Sequence, residues 1–184
     1  MNSSVPEQIT SLSLEVFSST IVSDIPDPTQ HGEVNAIQRC VRGFTEKGLT
    51  PSEISLALRD LSLYTVSTLP CISNMKTAEP CPMCTGAIRQ AGFKEYIYGT
   101  SINHLFEVGW SQILVPSHEI VAAGWPLPTT CKVIGSIGTE FTDPLFEWQY
   151  REDTPCPKGC GRVKAGEKTT TCERLSPELH LQAD

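Results

Sequence analysis

The sequence predicts an α/β domain in which helices pack against a sheet: the alternation of two kinds of segment predicts the fold class, and the length and the lack of a long apolar run indicate one domain outside the membrane. Segments whose apolar residues recur at helical spacing alternate with short segments rich in β-branched and aromatic residues, which are typical of strands. The length of 184 residues suits one domain with a sizeable core. No apolar run approaches the roughly 18–20 residues of a membrane span, so no membrane partner is expected.

The first predicted elements lead to a helix that begins close to Gly32. Residues 12–22 are apolar and β-branched and predict a strand, whereas residues 24–30 contain two prolines and predict a loop. Apolar side chains at helical spacing then predict a helix that ends by Gly48. The run T-P-S-E at residues 50–53 is typical of another helix start, because threonine can cap it, proline suits its first position and the glutamate can complete a capping box.

The alternation of helices and strands continues along the rest of the chain. In chain order we predict a strand at 61–66, a helix beginning at Pro82, a strand at 95–99, a helix capped by Ser101, weaker strands at 113–115 and 131–134, and a helix at 144–150. From Asp153 onward the composition is polar and lysine-rich, which indicates a tail. The predicted organisation is one domain over residues 1–152 and a polar, cysteine- and lysine-containing tail over residues 153–184.

Two short motifs carry residues suited to metal chemistry. The first is H-G-E at residues 31–33, and the second is P-C-P-M-C at residues 80–84. Because zinc prefers thiolates and neutral imidazole, His31, Cys81 and Cys84 are predicted metal ligands, and water would fill the fourth tetrahedral position. Cys81 and Cys84 are three positions apart at a predicted helix start, which places both sulfurs on one side of the first turn.

Glu33 is the carboxylate of these motifs that is not needed as a ligand. Bound zinc lowers the pKa of its water toward roughly 7, and Glu33 would carry the protons from that water to a ring nitrogen and to a departing amine. The combination of H-x-E with P-C-x-x-C is typical of zinc-dependent base deaminases. A C-x-x-C segment alone also fits a structural zinc site or a redox pair, so the catalytic interpretation depends on the two motifs together.

At these residues the chain resembles the cytidine-deaminase-like superfamily, and within it the branch of guanine deaminases and tRNA adenosine deaminases. The run HGEVNAI at residues 31–37 is similar to the H-A-E-x-x-A-I helix of that branch. The run EPCPMCTGAI at residues 79–88 looks most like guanine deaminases. The resemblance implies a three-layer α/β/α fold around a mixed sheet, usually in a homodimer. It also implies one Zn²⁺ held by His31, Cys81 and Cys84, with Glu33 as the proton shuttle.

The chain departs from this family pattern in three places. Family members carry a helix and a strand before the strand predicted at residues 12–22, and we expect these N-terminal elements to be missing here. Thr20 stands where the family often has a substrate-contacting asparagine. Residues 66–76 interrupt the usual passage from a strand into T-x-E-P-C, so we interpret them as a retained intron or another gene-model insertion, or else as a loop near the metal.

The expected function is zinc-dependent hydrolytic deamination of a purine base or nucleoside, with a guanine-type substrate favoured. The alternatives are a tRNA adenosine deaminase or its subunit, and an inactive zinc-binding pseudo-deaminase. A net charge of −7 gives the chain no general attraction to phosphate backbones, so a nucleic-acid partner is possible but not favoured. No signal peptide is apparent at the start of the sequence, which predicts the cytoplasm, with the nucleus as the alternative.

The remaining cysteines and aromatic residues permit further interpretations. Cys156, Cys160 and Cys172 suggest a second zinc site, but because only His180 lies near them as a further ligand, a flexible tail with incidental thiols is preferred. Cys40 and Cys131 are expected to be core thiols. Three aromatic residues are candidates for stacking on a base, although ordinary packing is the commoner role: Phe106, Trp110 and Trp148.

Overall fold

The computed structural model describes residues 29, 31–65, 77–148, 151–157, 160–164 and 170–174. The strand expected at residues 12–22, nearly all of the loop expected at 24–30, Thr20 and the segment 66–76 lie outside the described residues. In the described part of the chain, every helix is too short or too polar to cross a bilayer.

Helices and strands alternate through the described residues, as the sequence predicts. The helices are α1 Gly32–Glu46, α2 Pro51–Leu58, α3 Pro82–Ala91, α4 Ile102–Glu107, α5 Ser117–Ala123 and α6 Thr139–Thr142, followed by a 3₁₀ helix at Asp143–Phe146. The strands are β1 Ser62–Tyr64, β2 Glu95–Ile97, β3 Lys132–Ile134, β4 Cys160–Lys164 and β5 Thr170–Arg174.

The central sheet of the described residues is parallel, with strand order β1-β2-β3. Leu63 pairs with Tyr96, and Tyr96 pairs with Val133, so one register runs across all three strands. Parallel neighbours require crossover connections. Helix α3 lies in the connection from β1 to β2, and α4 and α5 lie in the connection from β2 to β3. This mixed α/β arrangement with a parallel sheet is consistent with the cytidine-deaminase-like fold.

Local signals account for where the main helices begin and end. At the start of α2, the Thr50 side chain accepts a hydrogen bond from the Glu53 backbone, and the Glu53 carboxylate accepts one from the Thr50 backbone, so the predicted capping box is present. Ser101 caps α4 by accepting from the His104 backbone N–H, also as predicted. Helix α3 ends at Gly92, whose φ of +83° is the left-handed conformation that glycine adopts without strain.

The core lies between the parallel sheet and helices α1, α2 and α3. It contains Phe44 from α1, Leu58 from α2, Ile88 from α3 and the sheet residues Leu63 and Tyr96, all nearly inaccessible to solvent. Cys40 and Cys131 belong to the same cluster, so both are core thiols as predicted. Packing of α1 and α3 on one core places the starts of these helices close together.

Three sequence predictions differ from the structure. Residues 113–115 do not form a strand, because no strand of the described residues pairs with them and Ile113 and Leu114 remain exposed. The helix predicted at 144–150 is instead a short 3₁₀ turn at Asp143–Phe146 that follows α6. The segment after Asp153, expected to be a flexible tail, contains the antiparallel hairpin of β4 and β5. Helix α5 was not predicted.

Candidate metal centre

His31 and Glu33 lie at the beginning of helix α1. His31 is the residue before the first turn, with an extended backbone at φ −73° and ψ 154°, and its imidazole does not cap the helix. The helix is held in place by side chains four positions apart, Ala36, Cys40 and Phe44, which are all buried. Because this buried stripe fixes the rotation of α1, His31 and Glu33 have defined positions at its N-terminal end.

Cys81 and Cys84 lie at the corresponding position of helix α3. Cys81 precedes the first turn with an extended backbone, and proline occupies the first helical position. The Thr85 hydroxyl lies 3.0 Å from the carbonyl oxygens of both Pro80 and Cys81, which it can reach as a donor. Cys84 is fully buried in the first turn of α3. The helix start therefore presents two sulfurs on the side that meets α1.

The structure brings the three predicted ligands together. Candidate ligand atoms of His31, Cys81 and Cys84 all lie within 4.8 Å of one another. The His31 Nδ1 to Cys81 Sγ distance is 3.5 Å. A tetrahedral zinc ion with ordinary Zn–N and Zn–S bond lengths separates such a pair by about 3.6 Å. One imidazole and two sulfurs at this spacing fit Zn²⁺.

Glu33 borders the same cluster without belonging to the three-ligand set. Its carboxylate Oε2 lies 3.4 Å from Cys84 Sγ. Burial is the largest influence on this carboxyl group and raises its pKa above the usual value. A carboxylate with a raised pKa is better matched to accepting and returning a proton near neutral pH.

The two thiols of the cluster differ in their titration. The hydrogen bond from Cys84 lowers the pKa of Cys81 to about 4, with a smaller contribution from His31, so Cys81 favours the thiolate that metals bind. The pKa of Cys84 is raised, first by its hydrogen bond with Cys81 and then by burial. Hydrogen bonding with Cys81 also raises the pKa of His31. A coordinated metal ion deprotonates a bound thiol outright, so a raised thiol pKa is compatible with coordination.

Exposure changes across the cluster. His31 is exposed, Cys81 is partly exposed and Cys84 is buried. The side of the cluster that carries the imidazole therefore faces solvent, and the side that carries Cys84 faces the core.

Glu79 holds the cysteine-bearing segment in place, a role that the sequence analysis missed. Its Oε1 accepts hydrogen bonds from the backbone N–H and the hydroxyl of Ser117 at 2.7 and 2.6 Å. Its Oε2 accepts from the Ile102 backbone N–H at 2.9 Å. The carboxylate thereby ties the residue two positions before Cys81 to the starts of α4 and α5. The only sequence signal for this role was the glutamate in E-P-C.

The aromatic residues considered for base stacking have different surroundings. Trp110 and Trp148 pack edge to face with ring centroids 5.8 Å apart, and the Trp110 indole N–H donates to the Phe146 carbonyl oxygen. Both belong to a small cluster with the cysteines of the C-terminal hairpin, so packing describes them best. Phe106 is 53% exposed on α4.

Comparison with known families agrees with this geometry. The family described as the cytidine and deoxycytidylate deaminase zinc-binding region matches residues 6–100 and thus includes all four residues of the centre. The chain belongs to this family, and its domain is a zinc deaminase domain that implies a small-molecule substrate. No solved structure matches the chain.

Proposed function

We propose that this protein is a hydrolytic deaminase of a purine base or nucleoside, with a guanine-type substrate, in which His31, Cys81 and Cys84 hold zinc and Glu33 carries protons. The observation that supports this most directly is the convergence of three ligand atoms within 4.8 Å. The adjacent Glu33 carboxylate, 3.4 Å from Cys84 Sγ, supplies the proton carrier. The catalytic unit in this proposal is residues 1–152.

The proposed reaction replaces an exocyclic amine with oxygen at an amidine-like ring carbon. Zinc held by His31, Cys81 and Cys84 would supply a water of lowered pKa at neutral pH. Glu33 would take up a proton on its carboxylate and return it to the ring nitrogen, and a second transfer would protonate the departing amine. Water is consumed and ammonia is released, with no change in oxidation state. The raised pKa of Glu33 suits a group that must take up and return protons in one cycle.

The substrate class is proposed from the sequence around the cysteines. The run E-P-C-P-M-C at residues 79–84 looks most like guanine deaminases. A net charge of −7 gives no general attraction to a polynucleotide, which favours a free base or nucleoside over tRNA. The alternative of a tRNA adenosine deaminase predicts tight, salt-dependent RNA binding.

The decisive experiment is an ammonia-release assay on purified zinc-loaded protein. The substrates are guanine, guanosine, adenine, adenosine, cytosine, cytidine, deoxycytidylate and a tRNA anticodon stem-loop. We expect turnover of a purine substrate, greatest with the guanine type. Turnover only of cytosine compounds would reject the purine assignment, and turnover only of the stem-loop would select the RNA alternative.

A zinc-binding pseudo-deaminase is the competing function of a different class. It predicts stoichiometric zinc and a folded protein that releases no ammonia from any member of the panel. Measuring metal content and circular dichroism on the same preparation separates this result from simple loss of the metal or of the fold.

We also propose a homodimer, as the family resemblance implies. Several large apolar side chains lie on the surface of the described residues, among them Trp125 at 83% and Phe141 at 75% exposure. Exposed side chains of this size are common in subunit contacts. Sedimentation equilibrium of the zinc-loaded chain tests this assignment, and a monomer at micromolar concentration would reject it.

A further inference from the structure

The C-terminal hairpin carries a second group of sulfur atoms, separate from the proposed active centre. Cys156 and Cys172 are joined by a disulfide with their Cα atoms 5.7 Å apart. Cys160, the first residue of β4, is disulfide-bonded as well. All three pack in one cluster with Trp110 and Trp148. These three cysteines are called the hairpin cysteines below.

The pairing of β4 with β5 places two hairpin cysteines on the same side of the hairpin. Arg162 lies directly opposite Cys172, and Cys160 lies opposite Arg174. Directly paired residues share a face, and so do residues two positions apart on one strand. Cys160 and Cys172 are therefore diagonal neighbours on one face, and the disulfide brings Cys156 to the same face.

A backbone hydrogen bond and an apolar wall complete the arrangement. The Cys160 backbone N–H donates to the Pro157 carbonyl oxygen at 3.0 Å, which holds Cys160 close to the segment that carries Cys156. Cys172 is buried beside Trp148. The Arg162 guanidinium donates to the carbonyl oxygens of Trp148 and Thr154 at 2.8 and 2.6 Å, which fastens the hairpin to the preceding segment.

We propose that the hairpin cysteines, when reduced, bind a second Zn²⁺ that stabilises the hairpin. The x₃ spacing of Cys156 and Cys160 lies within the range common in zinc sites, and thiolate is the ligand that zinc prefers in structural sites. Three protein sulfurs occupy three tetrahedral positions and leave the fourth to solvent. Disulfide bonding and zinc binding use the same sulfur atoms, so each excludes the other.

Freeing all three hairpin cysteines requires reduction of two disulfides, the Cys156–Cys172 bond and the separate bond that holds Cys160, and each reduction needs two electrons and two protons. A thiol reductant such as glutathione supplies them: for each bond reduced, two of its thiols form one new disulfide and the protein disulfide becomes two thiols. Zinc then displaces the thiol protons as the sulfurs coordinate. The hairpin site shares no residue with the proposed deaminase centre, so the two proposals can be tested separately.

The test is metal titration of the full chain, fully reduced and freed of metal under anaerobic conditions. Cobalt(II) is used as the probe because thiolate ligands give it intense charge-transfer absorption. We expect the wild type to bind two equivalents per chain, and the variant with Cys160→Ser and Cys172→Ser to bind one. Cys131→Ser, a buried thiol outside both sites, is the matched control and should bind two.

If the reduced wild type is saturated by one equivalent of cobalt(II), the proposal of a second site is overturned. Two equivalents in the double-serine variant would overturn it as well. Cys84→Ala, which removes a ligand of the proposed active centre, should leave one equivalent bound at the hairpin. This variant distinguishes failure of one site from failure of the other.

A second measurement on the wild type does not depend on the folding of any variant. The reduced chain, with and without two equivalents of zinc, is treated with a maleimide, and the labelled cysteines are identified by peptide mass mapping. We expect zinc to slow labelling of all three hairpin cysteines at least tenfold. Equal labelling with and without zinc would overturn the proposal.

Discussion

Thr65 and Ala78 are in direct contact although thirteen positions separate them in the chain: the Thr65 hydroxyl donates a hydrogen bond to the Ala78 carbonyl oxygen at 2.6 Å. Strand β1 pairs with β2 so that Tyr64 lies opposite Ile97. If that register continues, the three positions that follow Tyr64 along the line of β1 lie opposite residues 98, 99 and 100. Ala78 forms a parallel bridge with Thr100, so it holds the third of these positions. The chain thus resumes the line of β1 as if Thr77 followed Thr65 directly.

We therefore expect the chain lacking residues 66–76 to fold and to bind zinc as the full chain does. The deletion joins Thr65 to Thr77 in the register that the two flanking pieces already have. Removing a loop of this length changes the closure free energy by only about 2 kcal/mol, in favour of folding. Thermal unfolding and metal analysis of both chains are the measurements, and an aggregated or zinc-free deletion protein would contradict the expectation.

Glu33→Gln should retain zinc and lose turnover. The amide keeps the size of the side chain but cannot carry a proton, and loss of a general acid–base group costs about 10²–10⁴-fold in rate. Steady-state ammonia release and zinc content are measured together. Glu46→Gln, an exposed change at the other end of α1, is the matched control and should leave both unchanged. Parent-like turnover in Glu33→Gln would refute the proton-carrier role.

Cys84→Ala should lose both the zinc of the active centre and the activity. This sulfur is the buried member of the cluster, and removing it leaves two of the three proposed protein ligands. Cys131→Ala removes a core thiol away from the cluster and should keep both properties. Stoichiometric zinc at the active centre of Cys84→Ala, located by X-ray absorption, would contradict the ligand assignment.

Glu79→Ala should destabilise the protein by roughly 2–4 kcal/mol, because the buried backbone N–H groups of Ile102 and Ser117 lose their acceptor. Urea unfolding gives the free energy of unfolding. Glu119→Ala, an exposed change on the same α5 helix as Ser117, should cost less than about 0.5 kcal/mol. Equal stability of the two variants would show that Glu79 does not hold the segment.

Cys40 should make the protein less stable in alkali. Burial raises the pKa of this thiol to about 11 from its ordinary value of 9.0. Between these values the unfolded chain releases the proton and the folded chain keeps it, so the free energy of unfolding falls as pH rises. We expect a steeper fall for the wild type than for Cys40→Ala between pH 9 and 11, measured by urea unfolding. Parallel curves would contradict the shift.

Local signals explain which parts of the fold were predictable from the sequence. The beginnings of α1, α2 and α3 follow from caps, prolines and apolar residues spaced by three or four, all within one or two turns. Two short motifs carry the four residues proposed for the centre, so the sequence alone was enough to predict them. Features that depend on distant contacts were not predictable. Glu79 meets Ser117 38 positions later in the chain, and the C-terminal hairpin packs on Trp148.

The proposed ligands come from the starts of two helices, with His31 and Cys81 50 positions apart in the sequence. One metal ion would therefore join two segments that are distant along the chain. An organism short of the metal would then lose copies of the protein to degradation as well as catalytic turnover. Metal supply would in this way affect the amount of folded protein as well as its activity.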